Sequence, residues 1–290
     1  MPKPEGFPGQ RLIIAPPEIV IECSQRPILR DLSITHIGAF SASPDHLVDR
    51  PRGTAQHILI GCIAGTGHCE LGSQRWTINA GQLLFLPPRV AHRYKADANS
   101  PWTIFWIHFR GLRASDYLKI LGVSSERPVL PVGDMQAISE AFEDTYRHTL
   151  HGFGEAYLLG MSTGLARLLG LAKVHQRSNG GRALRTENRL IKTLSQIRDN
   201  STHAWNLTEM AAAAGMSIPH FTDLCRKQTG MPPTAYLIRL RLQRAMELLM
   251  REHLNVAETA RAVGYDDPFY FSRLFRKHMG IPPSALSREH

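Results

Sequence analysis

The spacing of apolar residues changes character twice along the chain. Up to about residue 45, short apolar runs such as Leu12-Ile13-Ile14 and Ile19-Val20-Ile21 stand between prolines, which predicts an arm and early strands. From His57 to Phe109 the apolar runs are short and broken by glycine turns. They comprise His57–Ile63, Cys69–Leu71, Trp76–Ile78, Leu83–Leu86 and Trp102–Phe109. Strands this short, with no helix between them, predict a small barrel or jelly roll. From Asp134 to about Gln176 the period becomes helical. One stripe is Met135, Ile138, Ala141, Phe142 and Tyr146; a wider one is Tyr157, Leu158, Met161, Leu165, Leu168, Leu169 and Ala172. Gln176–Arg182 is polar and glycine-containing and reads as a flexible linker over 175–185. A helix through Leu190, Ile191, Leu194 and Ile197 begins near Thr186.

The last third of the chain repeats itself. Asn206, Glu209, Ala211 and Gly215 recur 49 residues on as Asn255, Glu258, Ala260 and Gly264. Phe221, Leu224, Arg226, Lys227, Gly230, Pro232 and Pro233 recur 50 residues on as Phe271, Leu274, Arg276, Lys277, Gly280, Pro282 and Pro283. A repeat of this length is a duplicated supersecondary unit. Each copy opens on Asn with Glu three residues later, a capping-box pattern, and runs through a short Ala-rich helix to a glycine stop. A second amphipathic helix follows, ended by Gly and a Pro-Pro pair that cannot continue it. The helices pair at about 207–228 and 256–279, and the repeated Arg-Lys falls on the outer side of each second helix. That is the helix-turn-helix plan, whose second helix enters the DNA major groove.

Charge supports this reading. Residues 175–290 hold 17 Lys and Arg against 10 Asp and Glu, while residues 1–174 hold 17 against 15. One basic half beside a near-neutral half fits a nucleic-acid-binding domain joined to something else. At 290 residues there is room for two cores. No apolar run approaches a membrane span and the start is not a signal peptide, so the expected location is the cytoplasm. Cys23, Cys62, Cys69 and Cys225 form no C-x-x-C pair and read as free thiols.

Over about its last hundred residues the chain resembles the AraC/XylS family of bacterial transcription regulators. The match rests on Gly264-Tyr265, Tyr270-Phe271-Ser272-Arg273, Phe275-Arg276-Lys277, Gly280 and Pro282-Pro283, with Tyr236 and Arg241-Leu242 between the repeats. The resemblance implies seven helices over 186–290, with a long connecting helix at about Thr234–Met250. Both second helices then face successive major grooves of duplex DNA. In the first motif it puts Pro219, His220, Thr222, Asp223 and Arg226 at the groove with Lys227 on the backbone. In the second it puts Phe269, Tyr270 and Arg273 at the groove, with Arg276 and Lys277 nearer the phosphates. Asp223 departs from the family, where Arg is common and reads guanine.

The β-rich part resembles the cupin-like sensor domain of the same family, over residues 1–174. Gly81, Pro87 and His92 keep the second cupin motif, Arg89 replaces its usual Gly, and the His-x-His of the first motif is missing. A metal site needs several convergent ligands, so neither metal nor cofactor is expected. The order Asp49-Arg50-Pro51, Pro87-Pro88, His92, Tyr94, Trp102 and Trp106 is similar to that of the arabinose-sensing branch. That similarity implies a ligand pocket with Arg50, His92, Tyr94 and Trp106. Ile104 stands where a pocket His is usual, and Pro8 falls in an arm that folds over the ligand. It also implies a dimer helix at about 156–174. The implied function is a ligand-responsive activator of carbohydrate-utilisation genes, homodimeric, contacting RNA polymerase, and not an enzyme. The alternatives are a cupin-type metal-dependent enzyme fused to a helical domain, or a DNA-binding protein that senses nothing.

Overall fold

The computed structural model describes residues 9–42, 44–177, 181–251 and 254–286, in two compact units that divide between Asn179 and Gly180. The first unit contains β1 (Arg11–Ile14), α1 (Pro17–Gln25), β2 (Ser33–Phe40), β3 (Leu47–Arg50), β4 (His57–Ala64), β5 (Thr66–Leu71), β6 (Gln74–Asn79), β7 (Gln82–Leu86), β8 (His92–Ala96) and β9 (Thr103–Arg110). These are followed by α2 (Ala114–Leu121), β10 (Val129–Pro131), α3 (Met135–Thr149) and α4 (Glu155–Val174). Its strands form two sheets, in the orders β1-β2-β9-β4-β7-β10 and β3-β8-β5-β6, with antiparallel neighbours throughout. This is the expected small two-sheet barrel.

Alternation along the strands gives the six-stranded sheet two apolar faces. One face, with Ile37, Leu59, Phe105 and Ile107, packs under α3 and α4. The other, with Ile58, Ile60, Ile104 and Trp106, meets Cys69, Leu71, Tyr94 and Ala96 of the second sheet. Two glycines make room for large rings between the sheets. A Cβ at Gly38 would overlap the Trp106 ring, and one at Gly67 would overlap Trp102. Arg89, which replaces the motif's glycine, carries the left-handed backbone itself at φ 60.

Several local readings are corrected. Ile19-Val20-Ile21 is helical rather than a strand, lying within α1. Pro17 starts that helix with a pre-set φ, and Ile19 and Cys23, four residues apart, turn the same way into the core. Neither α2 nor β10 was expected; β10 is three residues long and exists by pairing with β7. Within the proposed linker at 175–185, residues 178–180 lie outside the described residues. Gly133 and Arg177 donate backbone N–H bonds to His175 and Pro131, and the next helix starts at Gly181.

The second unit contains α5 (Gly181–Asp199), α6 (Leu207–Ala213), α7 (Ile218–Thr229), α8 (Pro233–Arg251), α9 (Val256–Ala262), α10 (Pro268–Met279) and α11 (Pro283–Leu286), seven helices among the described residues. It has two small cores. Leu190, Leu194, Ile197, Met210, Phe221 and Cys225 pack with Leu237 near the start of α8. Ala260, Val263, Phe271 and Phe275 pack with Leu242, Ala245 and Leu249 further along the same helix. One rod therefore seats both helix-turn-helix motifs. No helix among the described residues is long and apolar enough to cross a membrane.

The duplicated starts are unequal. Asn255 accepts from the Glu258 N–H at 2.9 Å and Glu258 accepts in return from the Asn255 N–H at 3.0 Å, a complete capping box. Asn206 accepts from the Glu209 N–H at 2.9 Å, but the Glu209 carboxylate pairs with His203 at 2.8 Å. Asn255→Ala is accordingly expected to cost about 1 kcal/mol of stability, measured by chemical denaturation; no change would mean that α9 is held by packing alone.

Candidate nucleic-acid interface and effector pocket

The second helices of the two motifs, α7 and α10, share one pattern of burial residue for residue over 221–230 and 271–280. Phe221 and Cys225 are buried in one, Phe271 and Phe275 in the other, each pair spaced by four and facing its own core. Both helices end at a left-handed glycine, Gly230 at φ 80 and Gly280 at φ 79, whose N–H reaches the carbonyl of Arg226 or Arg276. Ser217 occupies the N-cap of α7 but makes no side-chain cap bond, whereas Asp267 caps α10 by accepting from the Phe269 N–H at 2.8 Å.

The outward faces carry the residues marked in the sequence. On α10, Phe269, Tyr270, Arg273, Arg276 and Lys277 are all exposed, Phe269 by 78%. None of these three cations has an ion-pair partner among the described residues. On α7, His220, Asp223, Arg226 and Lys227 are exposed and Thr222 is half-buried. Here the charge is partly cancelled, because Lys227 Nζ lies 2.8 Å from Asp223 Oδ2. The lysine holds the Asp223 carboxyl below the usual carboxylate range, with His220 and Arg226 contributing less. Asp223 stands at the position equivalent to Arg273, so two helices with one burial pattern present opposite charges at the same place.

Arg241 joins the motifs, and the sequence marked it only through its family match. It lies on α8 between the two cores and is only 8% exposed. Its Nε donates to Ser201 O at 2.7 Å and Nη2 to His203 O at 2.8 Å, both in the loop entering α6. Its Nη1 donates to Gly264 O at 3.1 Å, in the turn between α9 and α10, and its guanidinium lies 5.0 Å from the Tyr265 ring centre. With a longer bond from Nη2 to Thr202 O at 3.5 Å, a planar fork serving four carbonyls in two motifs fixes their separation.

In the first unit, a cavity of about 10 Å³, room for about one water, is lined by Gln10, His46, Ile60, Tyr94, Ile104 and Trp106. Of the expected pocket residues it brings together Tyr94 and Trp106. Arg50 and His92 stand opposite each other on β3 and β8, outside the lining of this cavity. Gln10 and His46 were missed. His46 is buried, takes the Trp102 Nε1–H at 3.4 Å, and has its pKa pushed down to about 4 by burial and then by Arg50. No periodic signal marks His46, since it precedes β3 in a loop. Pro8 lies outside the described residues. Among the described residues no three metal-ligating side chains converge. The thiols of Cys62 and Cys69 are pushed up by burial to about 11 and about 12, which keeps them protonated.

The Leu-rich stripe of α4 is not outward. Leu158, Met161, Leu165, Leu168, Leu169 and Ala172 are buried against α3 and the six-stranded sheet, with Ser162 Oγ donating to Leu32 O at 2.6 Å. The outward side of α4 carries Tyr157, Leu159, Thr163, Arg167, Gly170 and Val174 instead.

Two helix-turn-helix motifs with cationic outward helices, joined to a two-sheet barrel with an internal cavity, define a DNA-binding regulator with a ligand-binding domain. Comparison with known proteins gives the same division. An AraC-like ligand binding domain matches residues 34–158 and a helix-turn-helix domain matches residues 210–289. The MmsAB operon regulatory protein of Pseudomonas aeruginosa is 33% identical over 287 residues, 96% of this chain and 90% of that protein. The arabinose operon regulatory protein of Escherichia coli is 26% identical over 248 residues, 83% of this chain and 84% of that protein. Among solved structures, the DNA-binding domain of AdpA in complex with a target DNA is 27% identical, covering 34% of this chain and 89% of that one with a TM-score of 0.33. The chain belongs to the AraC family of transcriptional regulators.

Proposed function

We propose that this protein is a homodimeric, effector-controlled transcription activator acting in the cytoplasm, in which α7 and α10 enter successive major grooves of one operator. Residues 186–290 bind DNA and contact RNA polymerase; residues 1–174 sense and dimerise. The observation that carries the reading is the repeated burial pattern of α7 and α10, which leaves two equivalent faces outward with basic residues at their ends. His220, Thr222, Asp223, Arg226, Phe269, Tyr270 and Arg273 read or approach bases, while Lys227, Arg276 and Lys277 hold phosphates. Dimerisation uses the outward side of α4, where Tyr157, Leu159 and Val174 are exposed apolar residues, since its leucine stripe is occupied.

The effector is a small hydroxylated molecule, a sugar or sugar derivative, bound beside Tyr94 and Trp106 and held without being turned over. The E. coli relative is named for the arabinose operon, which supports that class. Because the cavity holds about one water, a ligand must displace part of its wall. Gln10, immediately before β1, is the lining residue nearest the start of the chain, which couples binding to the segment before β1. Footprinting of the full-length protein on a selected operator is expected to show two protected major-groove faces about 10 base pairs apart per protomer. Protection of a single groove would overturn the two-helix reading.

A further inference from the structure

The outward faces of α7 and α10 differ at one end. Phe269 lies two residues before the buried Phe271, about 200° around the helix from it, and so stands on the side away from the core. Phe269, Arg273 and Arg276 follow at i, i+4 and i+7, one outward stripe with Lys277 beside it. The equivalent stripe of α7 is Pro219, Asp223 and Arg226, with Lys227 beside it. Both stripes end in cations, but only that of α10 begins with an aromatic ring.

Phe269 is 78% exposed, more than any other large apolar side chain among the described residues. Its backbone is held in place from two sides. Pro268 takes the first position of α10, where its fixed φ starts the helix, and Asp267 Oδ1 accepts the Phe269 N–H at 2.8 Å. The next ring, Tyr270, leans on Tyr265 with ring centres 6.0 Å apart. This end of α10 is unsuited to a phosphate, because Asp266 and Asp267 are exposed acids and the Phe269 N–H is already taken. Arg276 and Lys277 stand at the other end. Charge therefore sets the C-terminal end of α10 against the DNA backbone and its aromatic end over base edges, as the first residues of a second helix meet the major groove. The apolar group that a base offers there is the C5 methyl of thymine.

We propose that Phe269 reads a thymine through its methyl group, so that an apolar contact as well as Arg273 specifies the α10 half of the operator. This rests on the two-groove reading above and names the base that the aromatic end of α10 selects. Four residues of helix advance about 6 Å, less than two steps of stacked base pairs. The thymine accordingly lies within about two base pairs of the guanine contacted by Arg273.

Full-length protein and a selected operator duplex test this, with the α10 half-site identified by the effect of Arg273→Ala. Each thymine of that half-site is replaced in turn by uracil, which pairs identically and lacks only the methyl. Fluorescence anisotropy is expected to show affinity falling about fourfold at one such position, the worth of one methyl group removed from water. Phe269→Ala is expected to weaken binding to the thymine duplex and to abolish the distinction between thymine and uracil at that position. Phe269→Leu keeps an apolar tip and is expected to keep part of the distinction. Neither change removes a phosphate contact, so the salt dependence of binding should stay as it is; a changed slope would overturn the assignment to a base. The uracil series on the wild-type protein stands even if a variant fails to fold. A two-groove footprint in which no uracil position is distinguished, or a thymine preference that survives Phe269→Ala, overturns the methyl contact and leaves the regulator reading intact. A footprint confined to one groove overturns the reading on which the proposal rests.

Discussion

Arg241→Met should destabilise the DNA-binding unit by about 3 kcal/mol, because a charged donor serving buried carbonyls is worth more than a neutral hydrogen bond. Methionine fills the volume of the arginine stem but donates nothing. The carbonyls of Ser201, His203 and Gly264 would then be left without the donor they have at 2.7, 2.8 and 3.1 Å. The consequence for function is more specific than reduced stability. Those carbonyls belong to different motifs, so the variant loses the tie between the loop before α6 and the turn before α10. At temperatures where it remains folded, its affinity for an operator with both grooves should fall toward that for a single groove. Arg241→Lys keeps the charge without the fork and should lie between. Equilibrium denaturation combined with binding to one-groove and two-groove DNA measures both effects. A variant that is destabilised yet keeps the wild-type ratio between the two DNAs would show that Arg241 supports folding only.

Replacing Arg273 by alanine is expected to flatten preference at one base step by about 1–3 kcal/mol, the worth of a bidentate contact to guanine. The side chain is exposed on α10 without an ion-pair partner among the described residues. Its counterpart Asp223 is bound to Lys227, and an acid accepts only from cytosine N4 while repelling phosphate. The two halves of the operator should therefore differ: strict where α10 docks and permissive, or cytosine-preferring, where α7 docks. Selection from a randomised duplex library shows this directly. Wild-type and Arg273→Ala proteins yielding the same base preferences would remove Arg273 from readout. Lys277→Ala offers the contrast, since removing a charge that holds only phosphate should weaken all sequences about equally and reduce salt dependence.

Caps, glycine stops and i, i+4 apolar pairs act over a few residues, so the two copies of the helix pair in the second unit could be read before any fold was known, while the count of seven helices came from the family resemblance. The α10 motif illustrates it: Phe271, Phe275 and Gly280 each do in space what their spacing requires. Ile19-Val20-Ile21 illustrates the failure, because three β-branched residues look like a strand until Pro17 and the burial of Cys23 are weighed. The α4 leucines were correctly read as one face, yet a stripe does not say whether its own domain or a second copy will cover it. Arg241 was visible only as a motif letter; its partners lie 23 to 40 residues away.

From the sequence alone came the two-unit division, from a change of period and of charge, and the duplicated helix-turn-helix, from local periodicity and capping; the residues on its outward faces came from the family resemblance. Tertiary structure alone decided that His36 faces His108 across β2 and β9 and Arg50 faces His92 across β3 and β8, that Gln10 reaches the cavity wall, and that one buried guanidinium spaces the two motifs. Antiparallel pairing in this barrel joins strands as distant as β2 and β9, and a shift of one residue would turn every side chain to the opposite face. Such a register is set by the packing of the whole sheet, and so no short stretch of chain contains it.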